Sequence, residues 1–149
     1  MIHFVGAGPG AVDLITVRGQ KLLETADQII YAGSLVNPQL LACAKKDCRI
    51  LDSAGMTLEA VIAAMEEGEG QGWMTVRLHT GDPSVYGAIR EQMDILSQKG
   101  LAYDVVPGVS SFCAAAASLQ AEYTLPGISQ SVIITRMEGR TPVPDKQKI

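Results

Sequence analysis

The chain alternates short runs of apolar, β-branched residues with segments whose apolar positions recur at helical spacing. This alternation is typical of an α/β protein built on a parallel sheet. The predicted strands are residues 2–5, 28–31, 49–51 (at a sheet edge), 74–78, 103–106 and 131–135. We therefore expect a single α/β domain with a mainly parallel sheet of about five strands, flanked on both sides by helices.

The segments between these strands carry the signals of helices. The predicted helices cover residues 15–26, a short stretch from Asn37-Pro38 to Leu41, residues 58 to the glycines at 68–70, residues 85 to Gly100, and residues 112–119. Asn37 is expected to cap its helix, and Gly100 is a typical helix end. The last helix is rich in alanine, which suits close packing on a sheet.

A polar, proline-bearing segment at residues 138–144 has the composition of a linker. It predicts a domain over residues 1–136, with residues 137–149 as the start of an interdomain linker and a second domain absent.

Composition narrows the possible classes of partner. The 149 residues carry a net charge of −4, and the basic runs are short, so nucleic acid and anionic membranes are not expected as partners. No apolar run approaches the roughly 20 residues of a membrane-spanning helix, and no signal peptide is recognisable, which predicts a cytoplasmic protein. Three cysteines and two histidines show no zinc-site spacing, so we expect buried structural thiols and no metal.

Three loops at predicted strand ends are rich in glycine and proline. The first, Gly6-Ala7-Gly8-Pro9-Gly10-Ala11, resembles a dinucleotide fingerprint. Two features oppose a nicotinamide or flavin site. Pro9 lacks a backbone donor for a pyrophosphate, and the second strand ends in Tyr31-Ala32-Gly33-Ser34, where such a fold places an acid. A tight turn that uses glycines only for geometry is an equal alternative.

The second loop runs from Thr80 to Tyr86, and the third is Pro107-Gly108-Val109-Ser110-Ser111. Asp82, before Pro83, is expected to cap a helix, although a carboxylate there could also accept from ribose hydroxyls or an amino group. Tyr86 fits a core ring slightly better than a pocket wall. Ser110 could cap the alanine-rich helix, and that helix end could also bind a carboxylate.

Taken together, these loops resemble one known family. The chain is similar to the tetrapyrrole (corrin/porphyrin) methylase superfamily in three segments. They are Gly6 to Gly10 with Leu14-Ile15-Thr16, then Thr80-Gly81-Asp82-Pro83, then residues 106–111. Four further segments resemble one branch of this family, the precorrin-4 and cobalt-precorrin-4 C-11 methyltransferases of cobalamin synthesis. These segments are residues 31–36, Ala54-Gly55-Met56, residues 79–88 and residues 135–142.

The resemblance implies methyl transfer from S-adenosylmethionine to C-11 of the macrocycle, by a homodimeric enzyme whose second domain completes the cofactor trough. The cofactor pocket it implies is lined by Pro9, Thr80, Gly81, Asp82, Val85, Tyr86, Ser110 and Ser111. Arg136, Glu138 and Arg140 are candidates for binding substrate carboxylates, or else belong to a solvated linker. No residue is predicted to act as a nucleophile, and the chain alone is expected to be inactive. The alternatives are a sister methylase with another position or substrate, and a nicotinamide-binding oxidoreductase.

Overall fold

The computed structural model describes residues 1–138 and 142–147. The strands are β1 (Ile2–Gly6), β2 (Gln28–Tyr31), β3 (Arg49–Asp52), β4 (Thr75–His79) and β5 (Tyr103–Val106). The α-helices are α1 (Val17–Thr25), α2 (Leu58–Gly70), α3 (Ile89–Gln98) and α4 (Ser111–Leu119). Short 3₁₀ segments cover Val12–Leu14, Gly33–Leu35, Pro38–Cys43, Ser53–Gly55 and Asp145–Gln147. None of the helices within the described residues is long and apolar enough to cross a membrane.

The five strands form one parallel sheet in the order β3-β2-β4-β1-β5. β4 therefore lies between β2 and β1, and Phe4 of β1 pairs with Arg77 of β4 and Val105 of β5. This arrangement confirms the predicted parallel sheet and the position of residues 49–51 at an edge. It also brings the carboxyl ends of β1, β4 and β5 side by side, and ligands of open parallel sheets bind at such ends.

Two apolar clusters cover the two faces of the sheet. The first contains Val5, Leu23, Ile29, Val76, Leu78 and Val106, with α1 among its elements. The second contains Ile2, Phe4, Ile30, Val61, Met65 and Leu96, and belongs to the face covered by α2 and α3. Because helices cover both faces, the central strand β4 is buried along its whole length, including its polar residues Thr75, Arg77 and His79.

The chain forms two compact units, residues 1–115 and 116–149, and the whole sheet belongs to the first. The domain boundary predicted at residue 136 stays a prediction. The strand predicted at residues 131–135 is wrong, because this segment has no strand pairing within the described part of the chain. An apolar, β-branched run becomes a strand only where a neighbour supplies main-chain partners, and sequence alone does not reveal the neighbour.

Three helix predictions also need correction. Val85 precedes α3, which begins only at Ile89, because the segment before it turns through left-handed backbone at Tyr86 and Ala88. The segment after Asn37 is a 3₁₀ helix, although Asn37 does cap it by accepting from the Gln39 amide. None of the α4 residues is buried, so alanine there contributes helix propensity without close packing.

The first apolar cluster predicts which face of α1 contributes to the free energy of unfolding. Leu23 of α1 is fully buried, whereas Val17 of the same helix is 71% exposed. We expect Leu23→Ala to lower the free energy of unfolding by about 2–5 kcal/mol, because it removes buried methyl groups and leaves a cavity. Val17→Ala, the matched control, should change it by about 0.5 kcal/mol or less. Urea denaturation measures both, and equal effects would contradict the assigned orientation of α1.

Candidate functional site

The loops after β1 and β4 are joined through their backbones. The Gly8 amide donates to the Gly81 carbonyl at 3.2 Å, and the Gly81 amide donates back to the Gly8 carbonyl at 2.8 Å. The Ala7 amide donates to the His79 carbonyl at 2.6 Å. This small antiparallel bridge lies directly beyond the parallel sheet, and it fixes the first and second glycine loops against each other.

Glycine is required here because three backbones meet. A Cβ on Gly6 would lie 2.6 Å from both the Gly108 Cα and the Gly81 carbonyl oxygen. A Cβ on Gly108 would collide with that same oxygen and lie 2.8 Å from the Gly6 Cα. Gly81 adopts φ +60°, a conformation that side chains disfavour. The glycines that resemble a family motif therefore have a packing role in the structure.

Asp82 fastens the second loop to the third. Its Oδ2 accepts from the Gly108 amide at 2.9 Å, and its Oδ1 accepts from the amide of Ser84 at 2.8 Å and from the Ser84 hydroxyl. Burial raises the pKa of Asp82, but these hydrogen bonds outweigh it and hold the pKa below its ordinary 3.8. The predicted role as a helix cap is wrong, because no helix begins here and the carboxylate instead caps a turn and bridges two loops.

A cavity of about 320 Å³ opens beside these loops. Its lining residues are Ala32, Leu35, Arg77, His79, Thr80, Gly81, Asp82, Val85, Tyr86, Gly87, Ser110 and Ser111. Seven of the eight residues predicted for a cofactor pocket therefore line one cavity, and Pro9 does not. The sheet topology explains this convergence, because the second and third loops leave β4 and β5 at the same edge as β1.

One rim of the cavity is held in an unusual backbone conformation. Tyr86 has φ 55° and Ala88 has φ 50°, and a Cβ on the intervening Gly87 would collide with the Pro83 carbonyl oxygen. Residues other than glycine cost about 1–2 kcal/mol in this region, and such positions cluster at functional sites. Tyr86 is 59% exposed, so the interpretation as a core ring is wrong and the cavity wall is its place.

Sequence reasoning missed the two most polar buried residues of the cavity, Arg77 and His79. Arg77 interrupts an apolar strand, and a charge inside a strand covered on both faces is costly, so the signal was present. His79 stacks on Phe4 with ring centroids 6.0 Å apart. Burial lowers the pKa of Arg77 to about 10, and burial with the charge of Arg77 lowers the pKa of His79 to about 3. His79 is therefore a neutral ring at physiological pH.

Two of the residues predicted to bind substrate, Arg136 and Glu138, lie in the second unit. Arg136 donates from Nη2 to the Pro142 carbonyl at 3.2 Å, and Glu138 is exposed. Arg140 lies outside the described residues. A role for these three in substrate binding stays a prediction. Among the cysteines, Cys43 and Cys48 are partly buried, whereas Cys113 is exposed, which corrects the expectation of three buried thiols.

The family model of the tetrapyrrole (corrin/porphyrin) methylases matches residues 1–148. The chain belongs to this family. It is 59% identical over 148 residues to a cobalt-precorrin-4 C(11)-methyltransferase from Methanocaldococcus jannaschii, a match that covers 99% of this chain and 57% of the relative. The family model covers all three glycine loops, and the match agrees with the resemblance that those loops carry.

Two solved structures extend the comparison. The X-ray structure of a cobalamin biosynthetic enzyme, cobalt precorrin-4 methyltransferase, superposes with a TM-score of 0.94 at 51% identity, covering 99% of this chain and 62% of that one. The structure of a uroporphyrin-III C-methyltransferase from Thermus thermophilus complexed with S-adenyl homocysteine superposes with a TM-score of 0.73 at 29% identity. This match covers 87% of the present chain and 52% of the Thermus chain. The chain thus spans about three fifths of the length of these proteins, namely 57% of the Methanocaldococcus jannaschii relative and 62% of the cobalt precorrin-4 methyltransferase structure.

The meeting of three backbones predicts the effect of one added methyl group. We expect Gly108→Ala to lower the free energy of unfolding by about 1–3 kcal/mol or more, because its Cβ has no room beside Gly6 and Gly81. Gly70→Ala, at the end of α2 with no atom near its Cβ, should be neutral or stabilise by up to about 1 kcal/mol. Thermal denaturation compares the two, and a Gly108→Ala protein as stable as wild type would contradict this packing.

The Asp82 bridge predicts a pH dependence. A carboxylate whose folded-state pKa is depressed stabilises the fold above its unfolded pKa, and this contribution is lost as the pH falls through the folded-state value. We expect the stability gap between wild type and Asp82→Asn to be present at neutral pH and to shrink below about pH 4. Asp94→Asn, which removes a more exposed carboxylate of α3, is the control. A gap that is constant with pH would refute the bridge.

Proposed function

We propose that the protein carrying this chain is an S-adenosylmethionine-dependent methyltransferase that methylates C-11 of precorrin-4 or cobalt-precorrin-4 in corrin-ring synthesis. The observation that carries the proposal is the 59% identity to a cobalt-precorrin-4 C(11)-methyltransferase over 148 residues. The TM-score of 0.94 to a cobalt precorrin-4 methyltransferase adds that the loops bearing the cavity have the same fold around them.

The residues of the cavity fit such a cofactor. S-adenosylmethionine presents an amino group, a carboxylate, ribose hydroxyls and a purine, so it needs a polar site with some apolar wall. The cavity offers the Asp82 carboxylate, the Arg77 guanidinium, the Ser110 and Ser111 hydroxyls, and the Val85 side chain. It also contains buried polar atoms that lack a partner within the described residues, namely His79 Nε2 and Thr80 Oγ1. Such atoms are costly to bury unless a ligand pairs with them.

When bound, S-adenosylmethionine supplies a methyl group on a positively charged sulfonium, which is already a good leaving group. The protein therefore has to hold and orient. Orientation of two reactants accounts for roughly 7–11 kcal/mol of barrier lowering in well-aligned reactions. In our proposal the rigid glycine loops, with Pro9 beside them, fix the cofactor. The Tyr86 rim borders it, and Asp82 keeps the second and third loops at a constant separation.

Methyl transfer of this kind requires no nucleophilic side chain from the protein. Consistent with this, His79 is neutral and buried, and Asp82 is held by three hydrogen-bond donors instead of facing a proton to abstract. We propose that the segment by which the relatives exceed this match supplies the rest of the pocket, and that Arg136, Glu138 and Arg140 bind carboxylates of the macrocycle. A homodimer and a cytoplasmic location belong to the same proposal.

The test is turnover by the full-length protein with S-adenosylmethionine and either precorrin-4 or cobalt-precorrin-4. We expect one added methyl group, located at C-11 by NMR. Gly81→Val should abolish binding of S-adenosylhomocysteine in calorimetry, because a side chain there enters the cofactor cradle. Gly72→Val, which imposes the same left-handed strain at φ +73° with open space around it, is the matched control and should bind normally.

Three outcomes would contradict the proposal. A methyl group at another ring position would indicate a sister methylase. Binding of NADH without binding of S-adenosylhomocysteine would indicate an oxidoreductase. Normal binding by a folded Gly81→Val protein would show that Gly81 is only a turn residue.

A further inference from the structure

Arg77 is a charged residue buried in the centre of the sheet. It lies on the central strand β4, is 7% exposed, and is one of the residues that line the cavity. An isolated cation in such a place is strongly disfavoured unless it is paired. The fold therefore gains from any anion that reaches it.

Among the residues that the structure describes, the hydrogen-bond partners of Arg77 are neutral. Nε donates to the Gln92 side-chain oxygen at 3.3 Å, and Nη1 donates to the Ile30 carbonyl at 3.2 Å. No carboxylate forms an ion pair with Arg77 in the described part of the chain, although four more exposed cations do have such partners. These pairs are Lys45–Asp27, Arg49–Glu67, Arg90–Asp94 and Lys99–Glu66. The most buried of these five cations is thus the one without a counter-charge.

Two further polar atoms at the end of the same strand lack a hydrogen-bond partner within residues 1–138 and 142–147. His79 is 4% exposed, and its Nε2 has no hydrogen-bond partner within the described residues. The same holds for Thr80 Oγ1. Both residues line the cavity with Arg77. A guanidinium, a neutral imidazole and a hydroxyl in one cavity form a set of donors suited to a carboxylate.

We propose that Arg77 binds a carboxylate of the ligand in this cavity, with the Thr80 hydroxyl and the His79 ring as additional hydrogen-bond donors. This inference rests on the proposed function, and it adds a subsite that the sequence motifs do not contain. The carboxylate has two possible sources, the amino-acid group of the cofactor and a side chain of the macrocycle.

The charges of the cavity favour the first source. Asp82 lines the same cavity and carries a negative charge, since its pKa is depressed. A site with one fixed cation and one fixed anion complements the zwitterion of an amino acid, whose ammonium and carboxylate groups need opposite partners. A macrocycle carboxylate would use Arg77 alone.

The experiment compares two probes on one variant of the full-length protein. S-adenosylhomocysteine contains the amino-acid group, whereas 5′-methylthioadenosine has the adenosine and the thioether without it. If the cofactor is the source, Arg77→Met should weaken S-adenosylhomocysteine binding by about 10- to 100-fold in calorimetry, the effect of losing a charged hydrogen bond. Binding of 5′-methylthioadenosine should then change little.

If the macrocycle is the source, both probes should bind as to wild type, and the KM for the tetrapyrrole should rise by the same factor. Arg90→Met is the matched control, because it removes a positive charge from α3 at a position where the side chain is 84% exposed. It should leave both probes and the KM unchanged. Arg77→Gln keeps an N–H donor for the Ile30 carbonyl without the charge, and it replaces Arg77→Met should that variant not fold.

Two results would overturn the inference. Equal weakening of both probes would show that Arg77 only supports the shape of the cavity. Unchanged affinities and an unchanged KM in a folded variant would show that no carboxylate reaches it. Failure of the proposed function is a separate result, since wild type would then neither bind S-adenosylhomocysteine nor methylate a tetrapyrrole.

Discussion

The site depends on one close contact, the meeting of the Gly6, Gly81 and Gly108 backbones beyond the ends of three parallel strands. A Cβ on Gly6 would lie 2.6 Å from atoms of both other glycines, so a side chain there would force the loops apart. Two further contacts join the same three loops. Gly8 and Gly81 exchange a pair of backbone hydrogen bonds, and Asp82 accepts a hydrogen bond from the Gly108 amide. These contacts fix the positions of the loops that line the cavity. A fixed cavity wall suits a site that acts by orienting its ligand.

The rim of the cavity, unlike the packed glycine backbones, contains strained backbone. Tyr86 and Ala88 adopt left-handed backbone, which the fold must stabilise elsewhere. Arg77 is a second unfavourable feature, a buried charge whose acceptors within the described part of the chain are all neutral. Tyr86 and Arg77 both line the same cavity. Departures from locally favourable choices that gather in one place are the physical mark of a functional site.

Much of the fold follows from local patterns, since residues 2–6, 28–31, 49–52, 75–79 and 103–106 are strands close to where apolar runs predict them. The cavity wall was also foreseeable, because glycine loops at parallel strand ends must share an edge. The errors concern long-range partners. Residues 131–135 have strand composition without a pairing neighbour, and Asp82 precedes proline like a helix cap but binds a loop distant in sequence. Arg77 is absent from the predicted site because it lies inside the strand β4, whereas the motifs lie in the loops.

The most direct test of the central claim is a crystal structure of the full-length protein with S-adenosylhomocysteine. We expect the ligand in the cavity beside the loops after β4 and β5, in contact with Thr80, Asp82 and Ser110, with the three glycine backbones unmoved. A ligand bound instead in the cavity of about 280 Å³ lined by Val12, Ile15 and Cys43, or one that separates the glycine loops, would contradict it.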